Sequence, residues 1–399
     1  MKVFKEKELK LLWPFYLETA LNLFFIFGAF IIIYLKSINL SLFEIGILIS
    51  SWSLAGIIFE IPTGAIADLK GRKFSTILGT CLMGILMILT YFTQGFYSLL
   101  LIFFFIGFSQ TFVSGANEAW IVDLVKSEKK KNLIDEYFKK NQSIMSFAML
   151  FSGFIGAYFV KEFGLGIIWV VTGSQLILGA AILSFGKENF KKKDGNLRSH
   201  LKRLKTHTKN SFNYSIKHQA LSSLLVALIF FSIAMAFSGD IVWQPFLLNL
   251  GLPDYWFGYL FSATFALGIL APILINPISK KLGGKKRYLV ICLIFMALFL
   301  FLVGFVNSLI FAIGLFVLSI SMLDFFYPVD SMFFHSVVPN KMRATIGSLK
   351  SLIISLVGVI IYPLVGLIAD SIGPKYTIAA TSIILIPAIV FYGKIKENK

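Results

Sequence analysis

Charge is what this sequence lacks most. Only 14% of its 399 residues are Asp, Glu, Lys or Arg, against about 25% in an ordinary soluble domain. A soluble globule with a conventional charged surface is excluded. Cysteine is nearly absent, and Cys81 and Cys292 both fall inside apolar runs. They offer no disulfide framework and no metal spacing, so we read them as small packing residues. The four histidines, His200, His207, His218 and His335, form no ligand set. No G-x-x-x-x-G-K-[ST], H-E-x-x-H or G-x-S-x-G string occurs, which removes coupling to a nucleotide within the chain and two common hydrolase chemistries. No catalytic residue, metal or cofactor is expected. Short alternating segments are missing as well, which excludes a β-barrel.

What the chain has is apolar length. Hydrophobic residues make up 57% of it, with 43 Phe. They come in twelve runs long enough for a bilayer core, which takes about 20 residues. The runs are Leu11–Leu35, Ile45–Ile66, Phe74–Phe92, Leu99–Val125, Ile144–Val160, Ile167–Phe185, Leu221–Leu248, Phe257–Ile278, Tyr288–Val306, Ile310–Phe334, Ile346–Ile368 and Tyr376–Tyr392. The first is too long for a signal-peptide core and has no A-x-A-like site after it, so it is expected to stay as a span.

The basic residues are placed by topology. With twelve spans, all but Lys36, Lys161 and Lys375 of the 37 Lys and Arg lie on or nearest one face. That is the positive-inside pattern. It predicts cytoplasmic termini and assigns the excess charge to the membrane, not to nucleic acid. The one long polar stretch, Lys187–Lys217, holds ten basic and two acidic residues. Leu197, Leu201 and Leu204 in it suit either a short helix on an anionic leaflet or a solvated linker. It divides the chain into residues 1–186, a linker at 187–217, and residues 218–399.

Between the second and third runs stands Gly64-Ala-Ile-Ala-Asp68-Leu-Lys70-Gly71-Arg72-Lys73. Gly64 permits close helix approach, Gly71 a permissive turn, and Asp68 can pair with Arg72, Lys73 or a helix terminus. A degenerate copy, Asn276–Lys286, follows the eighth run when Gly283 is set on Gly71. The core G-x-x-x-D-x-x-G recurs as Gly366, Asp370 and Gly373 after the eleventh, on the opposite face. The ten-residue string resembles the loop between spans two and three of major facilitator superfamily transporters. The twelve runs, central linker and inverted repeats extend that resemblance over the whole chain. It implies an all-α integral membrane fold of twelve helices in two six-helix halves. It also implies a gating cluster of Gly64, Asp68, Gly71, Arg72 and Lys73 joined by Asp123, whose bland alternative is an exposed helix-end carboxylate. Drug antiporters of the family carry G-x8-G-P-x-x-G-G in span five. Here Ser143, Ser152, Gly153, Gly156 and Ala157 stand there without proline, a departure from that subtype.

An acid in the hydrocarbon region costs about 2.5–3.5 kcal/mol on insertion scales. Glu18, Glu118, Asp240 and Asp324 fall in runs 1, 4, 7 and 10, the helices that line the central cavity of the resembled family. Helical spacing groups Glu18 with Asn22, Gln110 with Ser114, Asn117 and Glu118, and Ala236 with Gly239, Asp240 and Trp243. It also groups Ser321 with Asp324, Ser331 and His335 around Pro328. Each acid reads equally as a proton carrier or as half of a structural pair. Glu60 and Asp330 are further acids inside runs. Lys350 is the one basic residue deep in a run, with Asp330 or Asp324 as its partner.

The expectation is a secondary transporter working by alternating access, with protons, a small-molecule substrate and the lipid bilayer as its partners. The Phe-rich, cation-poor spans favour proton-coupled efflux of lipophilic or cationic drug-like compounds by a monomer in the plasma membrane. Uptake or exchange of a small neutral metabolite is the alternative, and a membrane enzyme or lipid-handling protein the remote one.

Overall fold

The computed structural model describes residues 4, 6–189, 218–269, 271–338 and 343–395. The proposed amphipathic stretch around Leu197–Leu204 lies outside them. The described residues form helices and no strand. In chain order these are α1 (Glu6–Ala20), α2 (Ile31–Ser37), α3 (Leu42–Lys70), α4 (Arg72–Tyr91), α5 (Phe96–Val113), α6 (Ala116–Ser127), α7 (Asn132–Phe163) and α8 (Ile167–Leu183). There follow α9 (Gln219–Phe237), α10 (Asp240–Asn249), α11 (Trp256–Gly268), α12 (Ala271–Lys281), α13 (Lys285–Val303), α14 (Leu309–Val337), α15 (Arg343–Ile372) and α16 (Pro374–Lys394).

Ten stretches are long and apolar enough to span a membrane. The α11–α12 pair, bent by 51°, makes an eleventh, and the 17-residue apolar α8 fills the remaining run. Helices therefore occupy all twelve expected runs among the described residues. The fifth begins at Asn132, well before the expected Ile144. Leu133 and Tyr137 recur one turn apart and are buried, so an amphipathic turn carries the helix out past its apolar run.

Besides the bent eighth span, three spans expected to be continuous are broken. The first leaves α-geometry at Ala20, passes through 3-10 turns at Leu21–Phe24 and Phe27–Ala29, and resumes at Ile31. The fourth breaks at Ser114–Gly115, where Gly115 has φ +70°. The seventh breaks at Ser238–Gly239. Irregular backbone at this depth must be buried in protein or line a cavity.

The chain forms two compact units. The first comprises Met1–Tyr34, Ser51–Ser199 and Asp254–Ser262. Its core at the Lys-rich ends of the helices gathers Leu12, Phe15, Tyr16, Trp120, Leu124, Tyr137 and Leu183. Phe15 meets Trp120 edge-on at 4.7 Å. Fully buried Glu8 is held there by the Tyr16 hydroxyl and by Lys140 Nζ at 2.6 Å, so its charge is paired and hydrogen-bonded. The second unit comprises Leu35–Ser50, His200–Pro253 and Ala263–Lys399. Its interior stacks Phe231 on Phe326 at 4.6 Å, with Tyr392 edge-on to Phe326 at 5.8 Å.

One turn geometry recurs four times. Gly71, Gly164, Gly284 and Gly373 join spans 2–3, 5–6, 8–9 and 11–12 with φ of 103°, 78°, 118° and 87° and ψ of 148–172°. Only glycine adopts that region readily. Four three-span units share this junction, as the sequence repeats imply. The third copy pivots on Gly284, one residue beyond the expected Gly283. The fourth glycine, Gly164, carries no legible motif. Gly64 does not serve the close approach expected of it: a Cβ there would meet no atom within 4 Å.

Candidate functional site

The acids of spans 1, 4 and 7 sit at the breaks. Glu18 is two residues before the end of α1, Glu118 is the third residue of α6, and Asp240 is the first residue of α10. A break frees backbone groups, and neighbouring side chains take them up. Asn22 Nδ2 donates to the Thr19 carbonyl at 2.9 Å, and Thr19 donates to Asn141 at 2.8 Å. Glu18 lies against α8, its Cγ 3.4 Å from where a Cβ on Gly179 would stand.

These breaks correct two face assignments. Gln110 and Ser114 precede the break in span 4, whereas Asn117 and Glu118 follow it, so no single helical stripe joins them. Gln110 accepts from the Trp52 indole at 2.7 Å, and Asn117 Oδ1 is buried without a partner among the described residues. In span 7, Asp240 and Trp243 lie in α10 and Ala236 in α9. Trp243 is buried between Phe246 and Phe316, its indole N–H without a partner among the described residues.

Asp240 opens onto a cavity of about 210 Å³ in the second unit, lined from α9, α13 and α14 by residues including Met235, Met296, Ser319 and Tyr327. In α14, Asp324 is half-buried. Its carboxylate lies 3.0 Å from the Cβ position of Gly268, next to the α11–α12 bend. Ser321 is buried and spends its hydroxyl on the Val317 carbonyl at 2.7 Å, whereas Ser331 and His335 are exposed.

Of the two partners open to Lys350, the structure selects Asp330. Lys350 Nζ meets Asp330 Oδ2 at 2.7 Å, and the Tyr392 hydroxyl donates to Asp330 Oδ1 at 2.6 Å. Both carboxylate oxygens are thus engaged in a site only 5% exposed. Among the described residues, Glu18, Glu118, Asp240 and Asp324 form no ion pair.

The loop at Gly71 is tied down on three sides. Arg72 Nη1 reaches Asp123 Oδ2 at 2.7 Å, as the resemblance implied. Lys73 Nζ donates to the Ser184 and Gly186 carbonyls at 2.7 and 2.8 Å, binding the C-terminal end of α8. Glu188 Oε1 accepts the backbone N–H groups of Arg72 and Lys73 at 2.7 and 3.0 Å, capping α4. A Cβ on Gly71 would stand 2.8 Å from that carboxylate, so the position needs glycine for space as well as for φ. Asp68 lies in the last turn of α3.

A matching cap lies at the other end of α3. Ser41 and Glu44 form a reciprocal capping box. Asp370 Oδ1 and Oδ2 then accept the N–H groups of Leu42 and Phe43 at 3.1 and 2.9 Å. The backbones pack closely there: a Cβ on Gly366 would fall 2.1 Å from the Leu42 carbonyl oxygen, and one on Gly46 would fall 2.4 Å from that of Tyr362. In the first unit, Gly153 of α7 and Gly258 of α11 meet as closely, and Ser262 donates to the Leu150 carbonyl at 2.6 Å.

Sequence reasoning missed Glu188 and Tyr392. It saw Asp370 only as half of a repeat. Glu188 stands in a basic stretch that reads as linker, and Tyr392 closes an apolar run. The one signal within reach was that Asp370 sits three residues before its glycine, as Asp68 does.

Three comparisons bear on this arrangement. The family model of the Major Facilitator Superfamily matches residues 12–349 and 249–398. An uncharacterized MFS-type transporter of Methanocaldococcus jannaschii is 26% identical over 182 residues, 46% of each chain. The uncharacterized MFS-type transporter YxaM of Bacillus subtilis is 24% identical over 387 residues, covering 94% of this chain and 93% of that one. Among solved structures, the inward-facing, unoccupied form of a bacterial homolog of the human lysosomal transporter Spinster has TM-score 0.72 at 18% identity, over 98% and 97% of the two chains. The nucleoside transporter NupG has TM-score 0.72 at 12% identity, over 96% and 100%. At these identities the structures establish the fold alone.

Proposed function

The chain belongs to the Major Facilitator Superfamily, and from that premise we propose that it is a proton-coupled exporter of small lipophilic cations working by alternating access. The observation that carries the reading is the pairing of Lys350. With that lysine committed to Asp330, the acids at the span breaks and Asp324 face no neutralising cation among the described residues. A carrier of sugar phosphates or carboxylates needs Arg or Lys free in its cavity. Carboxylates without a cationic partner suit cations, and the same carboxylates can exchange a proton for the cation as access alternates.

The two ends of α3 fit the gating that this cycle needs. We take the Lys-rich helix ends, with both termini, as cytoplasmic. The Arg72–Asp123 pair and the Glu188 cap then belong to the inner gate, with Asp68, Gly64 and Gly71 on the same turn. Asp370, on the outer side, holds the second span against the eleventh. The protein acts as a monomer in the plasma membrane. Inverted vesicles test this directly. An acid-inside gradient should drive uptake of a lipophilic cation such as tetraphenylphosphonium, and collapsing the gradient should abolish it. Equal uptake with and without the gradient would remove proton coupling.

A further inference from the structure

We propose that the cavity at the break in the seventh span is a dedicated subsite for a small organic ammonium ion. The subsite rests on the export reading for its transport consequence only; its binding chemistry stands by itself. Its size limits what enters. At about 210 Å³ it is smaller than the roughly 300 Å³ at which drug-sized pockets begin. It holds a head group or small cation, not a whole drug.

Its lining selects charge. Asp240 opens onto the cavity and has no ion-pair or hydrogen-bond partner among the described residues. Of the three hydroxyls in the wall, the two serines are used up as donors: Ser238 gives its hydrogen to the Ala234 carbonyl at 2.9 Å, and Ser319 to the Phe316 carbonyl at 2.9 Å, which leaves the Tyr327 hydroxyl as the third. The two serines present oxygen lone pairs only. Met235 and Met296 add polarisable thioethers and Tyr327 an aromatic ring, the surroundings that favour a desolvated alkylammonium. Among the described residues no Lys or Arg lines the cavity. An anion would meet a carboxylate and acceptors, and a neutral polar solute would find few donors. An alkylammonium satisfies all of these groups at once.

The test uses the full chain in lipid nanodiscs and radiolabelled benzyltrimethylammonium. Wild type should bind it saturably. Asp240→Asn, which keeps the volume and removes the charge, should weaken binding at least tenfold. Met296→Trp fills the cavity and leaves every acid in place, and it should weaken binding as much; it decides the matter should Asp240→Asn fail to fold. Binding by either folded variant within twofold of wild type overturns the subsite, as does absence of binding by wild type. Transport of tetraphenylphosphonium without benzyltrimethylammonium binding leaves export standing and the subsite overturned. Asp240-dependent binding without any transport upholds the subsite and removes the export reading.

Discussion

Replacing Asp370 by Asn should loosen one end of the molecule by a calculable amount. The carboxylate accepts two backbone N–H groups, at 3.1 and 2.9 Å, from the first turn of α3. An amide can accept one of these through its oxygen and turns an NH2 group toward the other. The change removes one charge-assisted bond, makes the second neutral, and discards the attraction between a negative charge and a helix N-terminus. Capping substitutions cost about 0.5–2 kcal/mol, and the dipole contributes about 0.3–1 kcal/mol. A net loss of about 1–2 kcal/mol shifts an equilibrium between closed and open forms by a factor of about 5–30. Ser50 reports the shift, being buried just below the cap with its hydroxyl 3.4 Å from the Gly358 carbonyl. In a background with Cys81 and Cys292 changed to Ser, a Ser50→Cys variant should react slowly with a membrane-impermeant maleimide. Adding Asp370→Asn should raise that rate about 5–30-fold. A rate within twofold, in protein that still elutes as a single folded species, refutes the latch.

Other expectations follow from the same contacts. Asp330→Asn should destabilise the protein, because Lys350 is left charged and partly buried with only a neutral partner; removing one member of such a pair costs about 3–5 kcal/mol in fully buried cases. Lys350→Met in the same chain should restore most of the lost melting temperature, and failure to restore any would show that the pair is not the cause. Glu188→Ala should cost about 1 kcal/mol through the lost cap on α4 and should slow transport, whereas Glu188→Asp should recover part of both; equal behaviour of the two variants would contradict the capping role. Arg72→Ala removes a contact to a half-exposed carboxylate worth at most about 1 kcal/mol. It should therefore impair transport while leaving thermal stability nearly unchanged.

The fold was legible because membrane spans are written in composition. Helices occupy each of the twelve apolar runs among the described residues, since hydrocarbon leaves backbone groups no partner outside the segment. The breaks were not legible. Gly115 and Gly239 look like the small residues that pack membrane helices, and nothing local says that Gly115 turns left-handed. Assuming unbroken helices placed Ala236 beside Asp240 and Asn117 beside Gln110. The acids themselves were legible, because carboxylates are rare at that depth, and so was the Arg72–Asp123 pair through its motif. Asp330 and Asp324 are six residues apart in one helix, and sequence alone could not say which one meets Lys350. The answer depends on how α15 and α16 pack against α14, which brings Tyr392 to the same carboxylate.

The central claim is that cation and proton compete for the same carboxylates. It is tested most directly by proton release from purified protein in weak buffer near neutral pH. Adding tetraphenylphosphonium should acidify the solution, by at most one proton for each cation bound, because a carboxylate that takes the cation must give up any proton it holds. The Glu18→Gln, Glu118→Gln, Asp240→Asn, Asp324→Asn variant should release none. Saturable cation binding with no change in pH, or release undiminished in that variant, would contradict the account.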